Sequence, residues 1–221
     1  SWQEDTMTRK LLLTCGIASS LLYVAMMVFI PMQWDAYSSG SQTISELSAI
    51  DAPTRSTWVP LGRLYAVLLV AFGAGVWLST AGSRPLRIAA VALVVDGILS
   101  LFWPPMHLRE VLAAGGSTLT DTMHLVFTAI TVGLMLIAMS AGAVALGRGF
   151  RRYTVTTMIV LAVCGGLTGL GAPNVQANLP TPWIGVWERI NLCSFLVWVM
   201  VLATLLMMQR RAQDERLANV A

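Results

Sequence analysis

Ten of the fourteen Lys and Arg residues in this chain fall in four short segments, and long apolar runs separate those segments. The segments hold Arg9 and Lys10, then Arg84 and Arg87, then Arg148, Arg151 and Arg152, then Arg210, Arg211 and Arg216. Six apolar stretches lie among them. Alternation of this kind constrains a fold strongly. An apolar run of about twenty residues spans a bilayer as a helix, and clustered Lys and Arg stay on the cytoplasmic side. The pattern therefore predicts an all-α polytopic membrane protein of six transmembrane helices, arranged as three hairpins, with both termini cytoplasmic. The remaining connections are then exoplasmic, and the two histidines stand in or beside them.

Composition agrees. The chain has 221 residues, of which 56% are apolar and 11% charged, and its mean hydropathy is +0.71. Soluble domains carry about 25% charged residues. The length suits one bundle spanning 1–221 rather than two domains. Residues 1–10 form a cytoplasmic N-terminus, with Ser1 to Thr6 reading as an addition ahead of an initiator Met7. Residues 209–221 form a cytoplasmic tail. The net charge of +3 is spread over helix ends, as insertion requires, so nucleic acid is not an expected partner. Cys15, Cys164 and Cys193 each sit inside an apolar run without metal-ligand spacing, and no structural disulfide is expected. The first apolar run resembles a signal peptide but continues to Ile30 with no small-residue cleavage site after it, so it reads as a retained helix.

The expected helices cover about Leu11 to Ile30, Pro60 to Thr80, Leu86 to Trp103, Asp121 to Leu146, Thr154 to Leu170, and Thr181 to Met208. Prolines mark several of these ends, because proline lacks the amide donor and restricts the residue before it. In the first outer loop, Thr43 to Ile50 suits a short interfacial helix with Ile44, Leu47 and Ile50 on one side. Trp34, Trp58, Trp103, Trp183 and Trp187 fall near the outer boundary, as an aromatic belt would. Gly165-x-x-x-Gly169 offers a close helix contact.

Few residues carry chemistry. Asp96 lies near mid-bilayer, where an aspartate costs roughly 2.5–3.5 kcal/mol to insert, so it reads either as a packing hydrogen bond or as a ligand or proton site. Asp121 and His124 share one helix face at a spacing of three. They suit an orienting acid and a general base, or two metal ligands with His107 as a third, which would make a zinc site. Against this stands a helix cap beside an interfacial histidine. Glu188 and Arg189 lie about two turns into the last helix and need partners there, with Arg63 a candidate. Asn191 extends the polar face, and Glu46 reaches in from the first loop. Asp96, His107, Asp121, His124 and Glu188 together predict a site in the outer half of the membrane.

The stretch Thr43-Ile-Ser-Glu-Leu-Ser-Ala, the polar loop with His124 opening the fourth helix, and Gly185-Val-Trp-Glu-Arg-Ile resemble the prokaryotic six-helix membrane family catalogued as domain of unknown function 998 (DUF998). The resemblance covers about residues 8 to 208. It implies the six-helix topology and points to Glu46, His124, Glu188 and Arg189, but it supplies no reaction. Pro105-Met-His107 departs from it, because the family usually has an acid shortly after the prolines that end the third helix. A looser comparison is with membrane-embedded zinc hydrolases of the alkaline-ceramidase and progestin-receptor type. With two histidines the chain lacks their three-histidine set, and a mixed site with a carboxylate is the form left open.

Three functions follow as expectations. The first is an integral protein of a prokaryotic inner membrane whose outward-facing polar pocket binds a lipid head group or a small amphipathic ligand. The second is a membrane-embedded, metal-dependent hydrolase or transferase acting on a lipid or isoprenoid. Here Asp121, His124 and Glu188 are catalytic, with Ser45 an unsupported nucleophile. The third is a proton-coupled transporter using Asp96, for which six helices are few and a homodimer would serve. Bis-histidine haem binding is not expected, since both histidines lie near one membrane edge.

Overall fold

The computed structural model describes residues 2–218, with side chains described for residue 4 and residues 6–209. The basic tail residues Arg210, Arg211 and Arg216 lie outside the described side chains. Seven α-helices occur in the described residues: α1 (Trp2–Phe29), α2 (Arg55–Leu78), α3 (Arg84–Leu101), α4 (Arg109–Ala113), α5 (Leu119–Ala145), α6 (Arg148–Gln176) and α7 (Ile184–Ala218). No strand forms among them; Ile50 and His107 make one isolated bridge. Five helices are long and apolar enough to cross a membrane: α1, α2, α5, α6 and α7. The eighteen residues of α3 include Arg84, Arg87 and Asp96, which keep it out of that group although it packs among them.

The six long helices form a closed ring. Each packs on its neighbours in the chain, with α3 meeting α5 directly, and α7 closes on α1. Glycines set the tightest approaches. A side chain at Gly97 on α3 would come within 2.7 Å of Val70 on α2, and one at Gly73 equally close to Val94. Gly16 and Gly75 do the same between α1 and α2. Small residues at such contacts let backbones approach, and van der Waals packing then holds the helices together in lipid. Gly165 is close-packed against Asn191, whereas nothing lies within 4 Å of a side chain built at Gly169. Half of the expected glycine motif is thus a contact.

The ring is solid at one end and hollow at the other. At the end bearing Arg84, Arg87 and Arg148, the interior is filled by Leu13, Phe72, Leu93, Met139, Phe195 and Trp198, all fully buried. The opposite end, where the long loops lie, encloses the cavity described below. Outside, Val67, Ile88, Val91, Ile130, Ile159 and Val163 are exposed. Apolar residues facing outward all round the ring suit a lipid surrounding.

Several boundaries differ from expectation. Pro60 lies inside α2, which starts at Arg55. Pro173 lies inside α6, which continues to Gln176. A proline forfeits one rung of the ladder, and a well-packed helix continues through that loss. Helix α7 begins at Ile184, after the Thr181-Pro182 pair. The loop between α3 and α5 contains α4, closed by Gly115 at φ 83°. Ser45–Ser48 is a single 3-10 turn. It is not an interfacial helix: Ile44, Leu47 and Ala49 are buried, so the segment dips into the mouth of the ring. Trp58 and Trp103 likewise turn inward, Trp58 onto Tyr23 and Trp103 onto His124, rather than joining a belt.

Candidate functional site

Two polar clasps hold the loops over the hollow end. In the first, the Glu46 carboxylate is buried and takes hydrogen bonds from Arg109 Nε at 2.6 Å and Nη2 at 2.8 Å. Thr43 adds its amide at 2.7 Å and its hydroxyl at 2.9 Å. Arg109 also donates to Thr181 Oγ1 and to the Ser41 carbonyl. One ion pair therefore joins the first loop, α4 and the approach to α7. In the second, Arg189 donates to the Ser39 carbonyl at 2.7 Å and to the Tyr37 hydroxyl at 2.8 Å. Burial pushes the Tyr37 hydroxyl up to about 12, against the pull of the Arg189 guanidinium, so it stays neutral beside that cation. Gly185 has no side chain, which lets the Ser39 and Gln42 carbonyls lie against the start of α7.

Asp121 and His124 share a face of α5 but serve different partners. Asp121 closes a capping box with Thr118. Its Oδ2 also meets His107 Nδ1 at 2.9 Å, and its Oδ1 accepts the His107 amide at 2.7 Å. It therefore does not orient His124. His124 is buried, with Nδ1 2.8 Å from the Pro104 carbonyl oxygen and Nε2 3.0 Å from Ser45 Oγ. A carbonyl only accepts, so the neutral ring carries its proton on Nδ1 and offers Nε2 as an acceptor to the Ser45 hydroxyl. The Trp103 ring stands edge-on to the imidazole, centroids 5.3 Å apart, and fixes its plane. The Ile44 amide donates to the Glu188 carboxylate, which anchors the turn that presents Ser45.

Ser45 and His124 face a cavity of about 390 Å³, within the range of ligand pockets. Asp121, Glu188, Arg55 and Arg63 line the same loop-side end. Deeper, Asp96 and Tyr65 reach it from α3 and α2. Asp96 is 2% exposed, and its Oδ1 has no hydrogen-bond partner. Ser100, one turn outward, bonds to the Asp96 backbone carbonyl instead. Most of the remaining wall is apolar. Between α5 and α6 the wall is thinnest: these two helices make the sparsest contact of any neighbours in the ring, and Leu125, Thr128 and Gly169, which line the cavity there, are exposed.

Of the residues singled out from sequence, Asp96, Asp121, His124, Glu188 and Asn191 line this cavity. Glu46, His107 and Arg189 do not; they tie down its roof. Asn191 spends its amide on the Leu161 carbonyl at 2.6 Å, joining α7 to α6. Glu188 pairs with the first loop rather than with Arg63. His107 and His124 do not converge, and among the described residues no group of three His, Cys, Asp or Glu side chains is placed to hold a metal. The zinc set of His107, His124 and Asp121 therefore does not fit this geometry. Sequence reading undervalued Ser45 and missed Arg109. Arg109 carried a signal, since it is one of only four cations outside the clustered segments.

No curated protein and no solved structure matched the chain. The family model described as "Protein of unknown function (DUF998)" matches residues 17–205. That span takes in the first loop, both histidines and the start of α7. With most of its length matched, including every residue that lines the cavity, the chain belongs to the DUF998 family.

Proposed function

We propose that the protein is a six-span membrane protein, with α3 as the sixth span, that binds a lipid-class amphiphile in the cavity at its exoplasmic end. One observation carries this reading: the cavity is polar at the loop end, apolar along its length, and reaches the sparse α5–α6 contact, where Leu125, Thr128 and Gly169 are exposed. A head group would lie near Ser45, Arg55 and Arg63, and a chain would lie along Leu125, Val132 and Met135 toward the seam. Neither Arg55 nor Arg63 has a carboxylate partner among the described residues, which favours an anionic head group. Proton-coupled transport finds less support, because the packing of Phe72, Met139 and Trp198 fills the ring beyond Asp96. The test is mass spectrometry of lipid carried through purification in mild detergent. Wild-type protein should retain a defined amphiphile, and Gly169→Leu with Thr128→Trp, which fills the seam, should lose it. Equal lipid content in both would overturn the reading.

A further inference from the structure

The Ser45–His124 contact has the geometry of a nucleophile and its base. A general base needs its free nitrogen within about 2.6–3.2 Å of the proton it takes, and a third group to hold the ring. Ser45 Oγ lies 3.0 Å from Nε2, and the Pro104 carbonyl holds Nδ1 at 2.8 Å. The serine begins a 3-10 turn whose amide entrance is held by Glu188, so its position is set by the clasped loop rather than by its own helix. Both side chains face the amphiphile cavity. Ser45 is only half-buried, while His124 is shielded against Trp103. A tether between loop and helix would need the hydrogen bond; it would not need both groups to line the cavity.

We propose that Ser45 and His124 form a serine-hydrolase pair that cleaves a carboxylic ester of the amphiphile bound in this cavity. The proposal rests on the lipid-binding reading and adds a reaction to it. Ser45 Oγ bonds to the ester carbonyl carbon while its proton passes to His124 Nε2. The carbon–oxygen bond to the alcohol then breaks, and the alcohol leaves with that proton. Water, activated in turn by His124, attacks the acyl-serine ester and releases the carboxylic acid, restoring the Ser45 hydroxyl. No oxidant or metal is required. Within each step the transient imidazolium is stabilised by a neutral carbonyl dipole rather than by a carboxylate, so the pair should be slower than one held by an aspartate. Arg55 and Arg63 at the same end select an ester on an anionic head group.

The experiment treats the full chain, in lipid nanodiscs, with an alkyl fluorophosphonate and reads the adduct by intact mass and peptide mapping. Wild type should be labelled at Ser45. Ser45→Ala should not be labelled. His124→Gln should be labelled on the order of 10²-fold more slowly, the scale of a lost general base. Ser56→Ala, an exposed serine outside the cavity, should behave as wild type. Lipid-loaded wild type that resists labelling, or His124→Gln labelled at the wild-type rate, would overturn the proposal. Loss of lipid from the seam-filled variant is read separately, so binding can stand while catalysis falls.

Discussion

Glu46 illustrates how far a single residue was readable. Its place in the first loop, within the Thr43-Ile-Ser-Glu stretch that carries the family resemblance, suggested a site role, yet its carboxylate is consumed by Arg109 and Thr43. Removing one member of a buried ion pair strands the other, which costs about 3–5 kcal/mol. Glu46→Gln should therefore lower thermal stability by an amount of that order in a detergent melt, and Arg109→Met should match it. The double variant should fall well short of the sum, because the stranded charge is counted once. A melt unchanged in Glu46→Gln would remove the clasp from this account. The same residue-scale lesson applies to Asp121 and His124. A spacing of three tells which face two side chains share, and nothing about which loop arrives to meet each of them. His107 and Pro104 come from a loop that folds over α5 through the Ile50–His107 bridge. That tertiary contact, not helix periodicity, decides that the carboxylate serves one histidine and a carbonyl serves the other.

At the scale of elements, the apolar runs located every long helix, and the prolines misplaced several ends. Pro60 and Pro173 sit within helices whose packing outweighs one missing hydrogen bond, so a local rule yielded to tertiary contact. Helix pairing was less legible. The glycine spacing in α6 drew notice, while equally close approaches fall at Gly73 and Gly97, which share no such spacing and whose neighbours in space come from a different helix. A side chain at Gly97 would meet Val70 Cγ2 at 2.7 Å and the Ala66 carbonyl at 3.0 Å, and a backbone carbonyl cannot swing aside. Gly97→Ala should destabilise by about 1–3 kcal/mol through forced separation of α2 and α3. Gly166→Ala, with nothing within 4 Å, should stay within about 0.5 kcal/mol of wild type. Equal melts for the two variants would show that the α2–α3 approach is looser than its geometry.

For the whole molecule, the division into a packed end and a hollow end gives the charge pattern a second meaning. Among the described side chains, the clustered cations sit at the packed end, while Arg55, Arg63, Arg109 and Arg189 sit at the hollow one, where the last two clamp loops and the first two line the cavity. Insertion rules hold clustered cations on the cytoplasmic side, so the cavity would open outward, and a ligand would arrive from the exoplasmic leaflet. Orientation follows from charge alone and is separable from every claim about chemistry. In a background with Cys15, Cys164 and Cys193 replaced by Ala, Ser38→Cys places a thiol in the first loop and Gly149→Cys places one in the opposite turn, both at exposed positions. A membrane-impermeant maleimide should label Ser38→Cys in intact cells and Gly149→Cys only after permeabilisation. The reverse pattern would turn the cavity toward the cytoplasm. The amphiphile would then come from the inner leaflet, while the Ser45–His124 pair and its test stay unchanged, since neither depends on which face of the bilayer supplies the ester.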